Sequence, residues 1–137
     1  MNQGIQSHLK HKQLHHFGCY LLSLIQAANP SRYYTEDELV DFYNKFYEAG
    51  YIQRDCTVLD PVAIYNSIAE DKVHTLTIIR DCKGKEPPAN AIITIYEMYN
   101  PNTGYTHFTL PGWDPLNPAR KAAKFYKLKG YRILSKG

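Results

Sequence analysis

Apolar positions change their spacing partway along the chain. In residues 1–70 they recur at helical intervals; in residues 73–134 they fall into short runs rich in Ile, Thr and Tyr, bounded by turn residues. Helices first and strands afterwards is the segregated order of an α+β domain. The spacing predicts a short helix over residues 3–10 and a second over residues 18–28. That second segment reads Cys-Tyr-Leu-Leu-Ser-Leu-Ile-Gln-Ala-Ala from Cys19, apolar almost all round, so it is expected to be buried, with Asn29-Pro30 ending it. Thr35 and Glu38 form a capping box. Leu39, Phe42, Tyr43, Phe46 and Tyr47 then mark one packing face of a helix that Gly50 closes. Asp60-Pro61 opens a fourth helix, Asp60 as cap and Pro61 in the first turn, with Val62, Ile64, Tyr65 and Ile68 as its apolar side.

Strands are expected over residues 73–79, 91–98, 105–110 and 131–134, with a further piece around Trp113. Residues 81–90 read as a loop and Asn100-Pro101-Asn102-Thr103-Gly104 as a turn. Residues 1–137 make one domain, and a hydrophobic share of 44% is enough to bury a core, which excludes a disordered chain. The 16 basic and 13 acidic side chains leave +3, too small a surplus for a dedicated nucleic-acid binder. Lys121, Lys124, Lys127 and Lys129, interleaved with Tyr126 and Tyr131, read as a lysine-protected strand edge. No apolar run approaches the roughly 20 residues of a membrane span. The polar stretch from Met1 to Lys12 carries no signal-peptide core, so the reduced cytoplasm is the default location, and a protein released by phage or lysis would look the same.

The 3 cysteines, Cys19, Cys56 and Cys82, are odd in number and lack Cys-x-x-Cys spacing, which argues against a disulfide framework or zinc ribbon and leaves one thiol spare for chemistry. Cys19 opens the apolar helix, where unpaired amides and the helix dipole favour the thiolate, the nucleophilic form. Gly18 before it leaves room for a substrate. His107 lies on an expected strand, and Pro111-Gly112 suits the centre of a tight turn. A two-residue turn pairs Leu110 with Trp113; a four-residue loop sets His107 opposite Asp114. Either register puts imidazole and carboxylate on one face, where the carboxylate would orient the ring. Gln13, six residues before Cys19, together with the Cys19 amide would hold an oxyanion. Cys56 and Cys82 read as packed thiols, or as partners of each other in an oxidising space. His8, His11, His15 and His16 cluster near the N-terminus, and on a helix 8, 11 and 15 fall on one face, but Lys10 and Lys12 oppose a cation, so a solvated basic face is expected and no metal.

These residues resemble the papain-like cysteine peptidase superfamily: glutamine at minus six, cysteine opening the central helix, histidine on a strand and aspartate on the next. Within it the chain is similar to the compact bacterial branch of bacteriocin-processing (double-glycine leader) peptidases. Ile5-Gln6-Ser7 and Phe17-Gly18-Cys19-Tyr20-Leu21-Leu22-Ser23-Leu24 resemble small phage- and plasmid-borne proteins. So do Asp55-Cys56-Thr57-Val58, His107-Phe108, Trp113-Asp114-Pro115 and Gly130-Tyr131-Arg132-Ile133, in that order. The resemblance implies a papain-like fold with Cys19 as nucleophile, His107 as base, Asp114 as orienting residue and Gln13, or alternatively Gln6, as oxyanion donor. It implies a peptide or protein substrate, no cofactor, and a groove beside Gly18, Tyr20 and Trp113. Tyr20 stands where the peptidases carry a small residue. The alternative is therefore an inactive protein-binding module of the same fold.

Overall fold

The computed structural model describes residues 1–116 and 124–137, so Lys121 lies outside the described residues. The helices are α1 (Ile5–His8), α2 (Lys12–Phe17), α3 (Cys19–Ala28), α4 (Glu36–Glu48) and α5 (Pro61–Asn66). The strands are β1 (Thr75–Ile79), β2 (Ile93–Tyr99), β3 (Thr106–Thr109) and β4 (Lys127–Ser135). Among the described residues the strands form one antiparallel sheet in the order β1-β4-β2-β3. The architecture is α+β, helices followed by a small sheet. No helix among the described residues is long and apolar enough to cross a membrane.

Helix α3 is the hub. Leu21, Leu22, Leu24 and Ile25 are fully buried on it, each contributing roughly 1.5–3 kcal/mol of apolar burial. Ser23 is buried as well; its hydroxyl sits 2.7 Å from the Cys19 carbonyl and 3.3 Å from the carbonyl of Phe108. The helix thus lies along β3, the outermost strand on its side of the sheet, and covers part of its open edge. The Thr35 capping box of α4 is formed in both directions, and Leu39, Tyr43 and Phe46 are buried while Tyr47 stays exposed. Asp60 caps α5 by accepting the Ala63 N–H at 3.1 Å. Ile93, Ile95 and Leu134 turn one sheet face toward the helices; Tyr131, Ile133 and Cys82 form a smaller cluster on the other. Because Cys56 belongs to the first cluster and Cys82 to the second, the pairing of these two considered from sequence does not arise.

The N-terminal region differs from expectation. The single helix expected over residues 3–10 is one turn, α1; the chain is extended at Leu9, and α2 follows where none was expected. Only Leu14 of α2 is buried, so no apolar stripe announces it; its start is held by His11, whose Nδ1 accepts the Leu14 N–H at 3.3 Å. With α1 and α2 separated, His8, His11 and His15 share no helical face. Strand β4 begins earlier than expected, its exposed half carrying Lys127 and Lys129.

Candidate active site

The site is assembled by a hairpin and the N-terminus of α3. Leu110 and Trp113 exchange both backbone hydrogen bonds, at 2.9 and 3.1 Å, around Pro111-Gly112, with Gly112 at φ 74°. That is the two-residue register. It carries Asp114 back beside His107, whose Nε2 lies 2.7 Å from Asp114 Oδ1. The imidazole is 6% exposed and the carboxylate 22%, so water dilutes this pair little. Asp114 Oδ1 also accepts the Leu116 N–H at 2.9 Å. The N-terminal residues strap the same segment: Gly4 N–H donates to the Asp114 carbonyl and Gln6 N–H to the Pro115 carbonyl, both at 2.9 Å. The Trp113 Nε1–H donates to the Met1 carbonyl, also at 2.9 Å. The ring of Tyr126 meets His107 edge to face at 5.5 Å.

Cys19 is the first residue of α3 and half-buried, and its thiol lies near enough to the His107 ring to act on the ring's proton. Since Nε2 is engaged by Asp114, Nδ1 is the nitrogen left for sulfur. Burial acts to lower the His107 pKa, but hydrogen bonds to Asp114 and Cys19 and the charges on both outweigh it, raising the pKa to about 9. The ring therefore holds its proton more tightly than an ordinary imidazole, between Asp114 and Cys19. Such a group holds a thiolate by charge and has a proton to give to a leaving group.

An open groove of about 410 Å³ adjoins the sulfur, lined among others by Phe17, Cys19, Tyr20, Cys56, Phe108 and Arg132. Tyr20 stacks on Phe108 with centroids 4.4 Å apart. Burial pushes its hydroxyl up to about 12, only partly offset by Arg132. Arg132 in turn bonds Glu97 at 3.0 Å, both largely buried, and lies over the Phe108 ring.

Of the expected groove residues, Tyr20 lines the groove and two do not. Gly18 is buried, and a Cβ there would lie 2.5 Å from the Leu14 carbonyl oxygen, so the glycine lets α2 meet α3 closely. Trp113 is a core residue, 9% exposed, tied to the Met1 carbonyl. Gln13 lies in the first turn of α2 with its Oε1 buried and unpartnered, and it is not part of the groove wall. Gln6 is committed elsewhere, its Nε2 donating to the His15 carbonyl at 3.1 Å. Three contributors escaped sequence reasoning: Tyr126, the turn that brings Asp55 and Cys56 to the groove, and the N-terminal strap. The motifs around Gln6 and Cys56 were visible as resemblances, but no local pattern says that they converge. Among the described residues no three His, Cys, Asp or Glu side chains are grouped to hold a metal ion.

The chain matches a family model described as a protein of unknown function, DUF261, over residues 3–136. It belongs to that family. No curated protein and no solved structure matches it.

Proposed function

We propose that the chain is a cysteine hydrolase of papain-like architecture that cleaves a peptide or related amide bond through Cys19, His107 and Asp114. One observation carries the reading: a buried His107–Asp114 pair at 2.7 Å whose remaining ring nitrogen is left for the thiol at the start of the central helix. The Cys19 sulfur attacks the carbonyl carbon, forming a C–S bond and an oxyanion. The Cys19 N–H has no helical carbonyl to bond at the start of α3 and is one donor for that oxyanion. Gln13, the second donor expected from sequence, lies outside the groove wall and is left out of this scheme. As the intermediate collapses the C–N bond breaks and the His107 proton passes to the leaving amine. The neutral ring then takes a proton from water, which attacks the acyl carbon and frees Cys19. Asp114 keeps the ring turned with Nδ1 toward sulfur throughout.

A second reading, a protein-binding module, draws on the stacking of Tyr20 against Phe108, which fills one side of the groove. Iodoacetamide labelling separates the two. A hydrolase labels at Cys19 at least about tenfold faster than a model thiol near neutral pH, and His107→Ala removes that advantage. Labelling at the model-thiol rate in both chains would refute the activated thiol and leave the binding module.

A further inference from the structure

Cys19 shares its groove with a second thiol. Cys56 also lines it, close enough that charge on the Cys19 sulfur acts on Cys56. Cys56 is presented by a tight turn between Ile52 and Val58, which pair with each other. Within it Gln53 N–H bonds the Thr57 carbonyl at 2.9 Å, Cys56 N–H bonds the Gln53 carbonyl at 3.0 Å, and Thr57 N–H bonds the Asp55 carboxylate at 3.0 Å. Tyr43 pins the turn from outside by donating to the Arg54 carbonyl. The turn needs a left-handed residue, and Cys56 supplies it at φ 66°. Glycine or asparagine is at ease there; a cysteine costs roughly 1–2 kcal/mol.

We propose that Cys56 is a resolving thiol: after a peroxide oxidises Cys19, Cys56 closes a Cys19–Cys56 disulfide that shields the nucleophile from irreversible oxidation. This rests on the reading of Cys19 as the reactive thiol. The Cys19 thiolate attacks one peroxide oxygen, the O–O bond breaks, and hydroxide leaves, giving the sulfenic acid. The Cys56 sulfur then attacks the Cys19 sulfur, the S–S bond forms as the S–OH bond breaks, and the departing hydroxide takes the Cys56 proton. Two thiols lose two electrons, and one peroxide becomes two waters. The order is set by access, since Cys19 is half-exposed and Cys56 only 2% exposed. Burial, aided by the charges of Asp55 and Cys19, also pushes the Cys56 thiol up to about 12, so it stays protonated while Cys19 reacts.

The test is peptide mapping of the unmodified chain after mild hydrogen peroxide treatment, with and without dithiothreitol. The expected product is a Cys19–Cys56 cross-linked peptide, about 2 Da lighter than the two thiol peptides together, with Cys82 still alkylatable and both thiols recovered on reduction. In Cys56→Ser the same dose should carry Cys19 to the sulfinate, about 32 Da heavier and not recovered. Sulfinate at Cys19 with Cys56 still free in the unmodified chain would overturn this proposal alone. Cys19 oxidising no faster than a model thiol would overturn it together with the activated-thiol reading.

Discussion

Replacing Asp114 by Asn keeps the shape of the buried pair and removes its charge. In Asp114→Asn the amide oxygen can still accept from His107 Nε2 and from Leu116 N–H, so the hairpin is not taken apart. What changes is the proton on His107. Burial is the largest influence on the ring and disfavours its charge; Asp114 and Cys19 together overcome it. Without the carboxylate the pKa falls from about 9. The sign follows from linkage: the folded pKa stands above the ordinary 6.5, so folding tightens proton binding. The stabilisation is fully present below 6.5 and is lost as pH rises through about 9. At about 1.4 kcal/mol per tenfold change in proton affinity, the gap between 6.5 and about 9 is worth roughly 3 kcal/mol. Urea unfolding of both chains, from pH 6 to about 9, reads the difference in stability. It should be roughly 1.5–3 kcal/mol in favour of Asp114 at the low end and shrink steadily toward the high end. The Met1 amine, whose pKa burial lowers, titrates with the opposite sign, but it is common to both chains and cancels in the difference. A difference that is flat across this range, or grows with pH, would refute a buried imidazolium held by Asp114.

Three further outcomes follow from packing. Gly18→Ala forces a methyl against the Leu14 backbone and should cost about 1–3 kcal/mol in urea or thermal unfolding, whereas a glycine kept for substrate would be lost without cost to stability. Glu97→Gln leaves the guanidinium of Arg132 in an 11–12% exposed setting without its counter-charge and should cost about 2–3 kcal/mol. The double replacement Glu97→Met/Arg132→Leu should recover most of that loss, and a cycle showing simple additivity would mean that the pair does not interact. Thr35→Ala opens the capping box of α4 and should lower stability by about 1 kcal/mol, seen as a lower melting temperature with no change in Cys19 labelling rate.

Some of this protein was decided within a few residues of itself. The capping box at Thr35, the Asp60-Pro61 helix start, the all-round apolar character of α3 and the Pro111-Gly112 turn are short-range events, governed by local hydrogen bonds and conformational preference. They were readable, and the turn alone was enough to place His107 and Asp114 on one face. Helix α2 was not readable: one buried leucine in six residues leaves no periodic stripe, and the helix forms around a histidine cap. What Gly18 and Trp113 do is not readable locally for a related reason. Whether a missing side chain makes room for a ligand or for a neighbouring backbone, and whether an indole faces a groove or the core, depends on what packs against it.

Tertiary structure decided the rest of the site. It set Cys19 beside a ring 88 positions later, brought Tyr126 against that ring, strapped the hairpin with residues 1–6, and turned Cys56 into the groove. Each is a contact between segments far apart in the chain, and their joining is driven by burial of apolar surface, which has no direction and leaves no local signature. The sequence by itself determined which residues have reactive chemistry and, through the Pro111-Gly112 turn, that His107 and Asp114 share a face. Only the packing of α3 along the edge of β3 determined which of those residues meet.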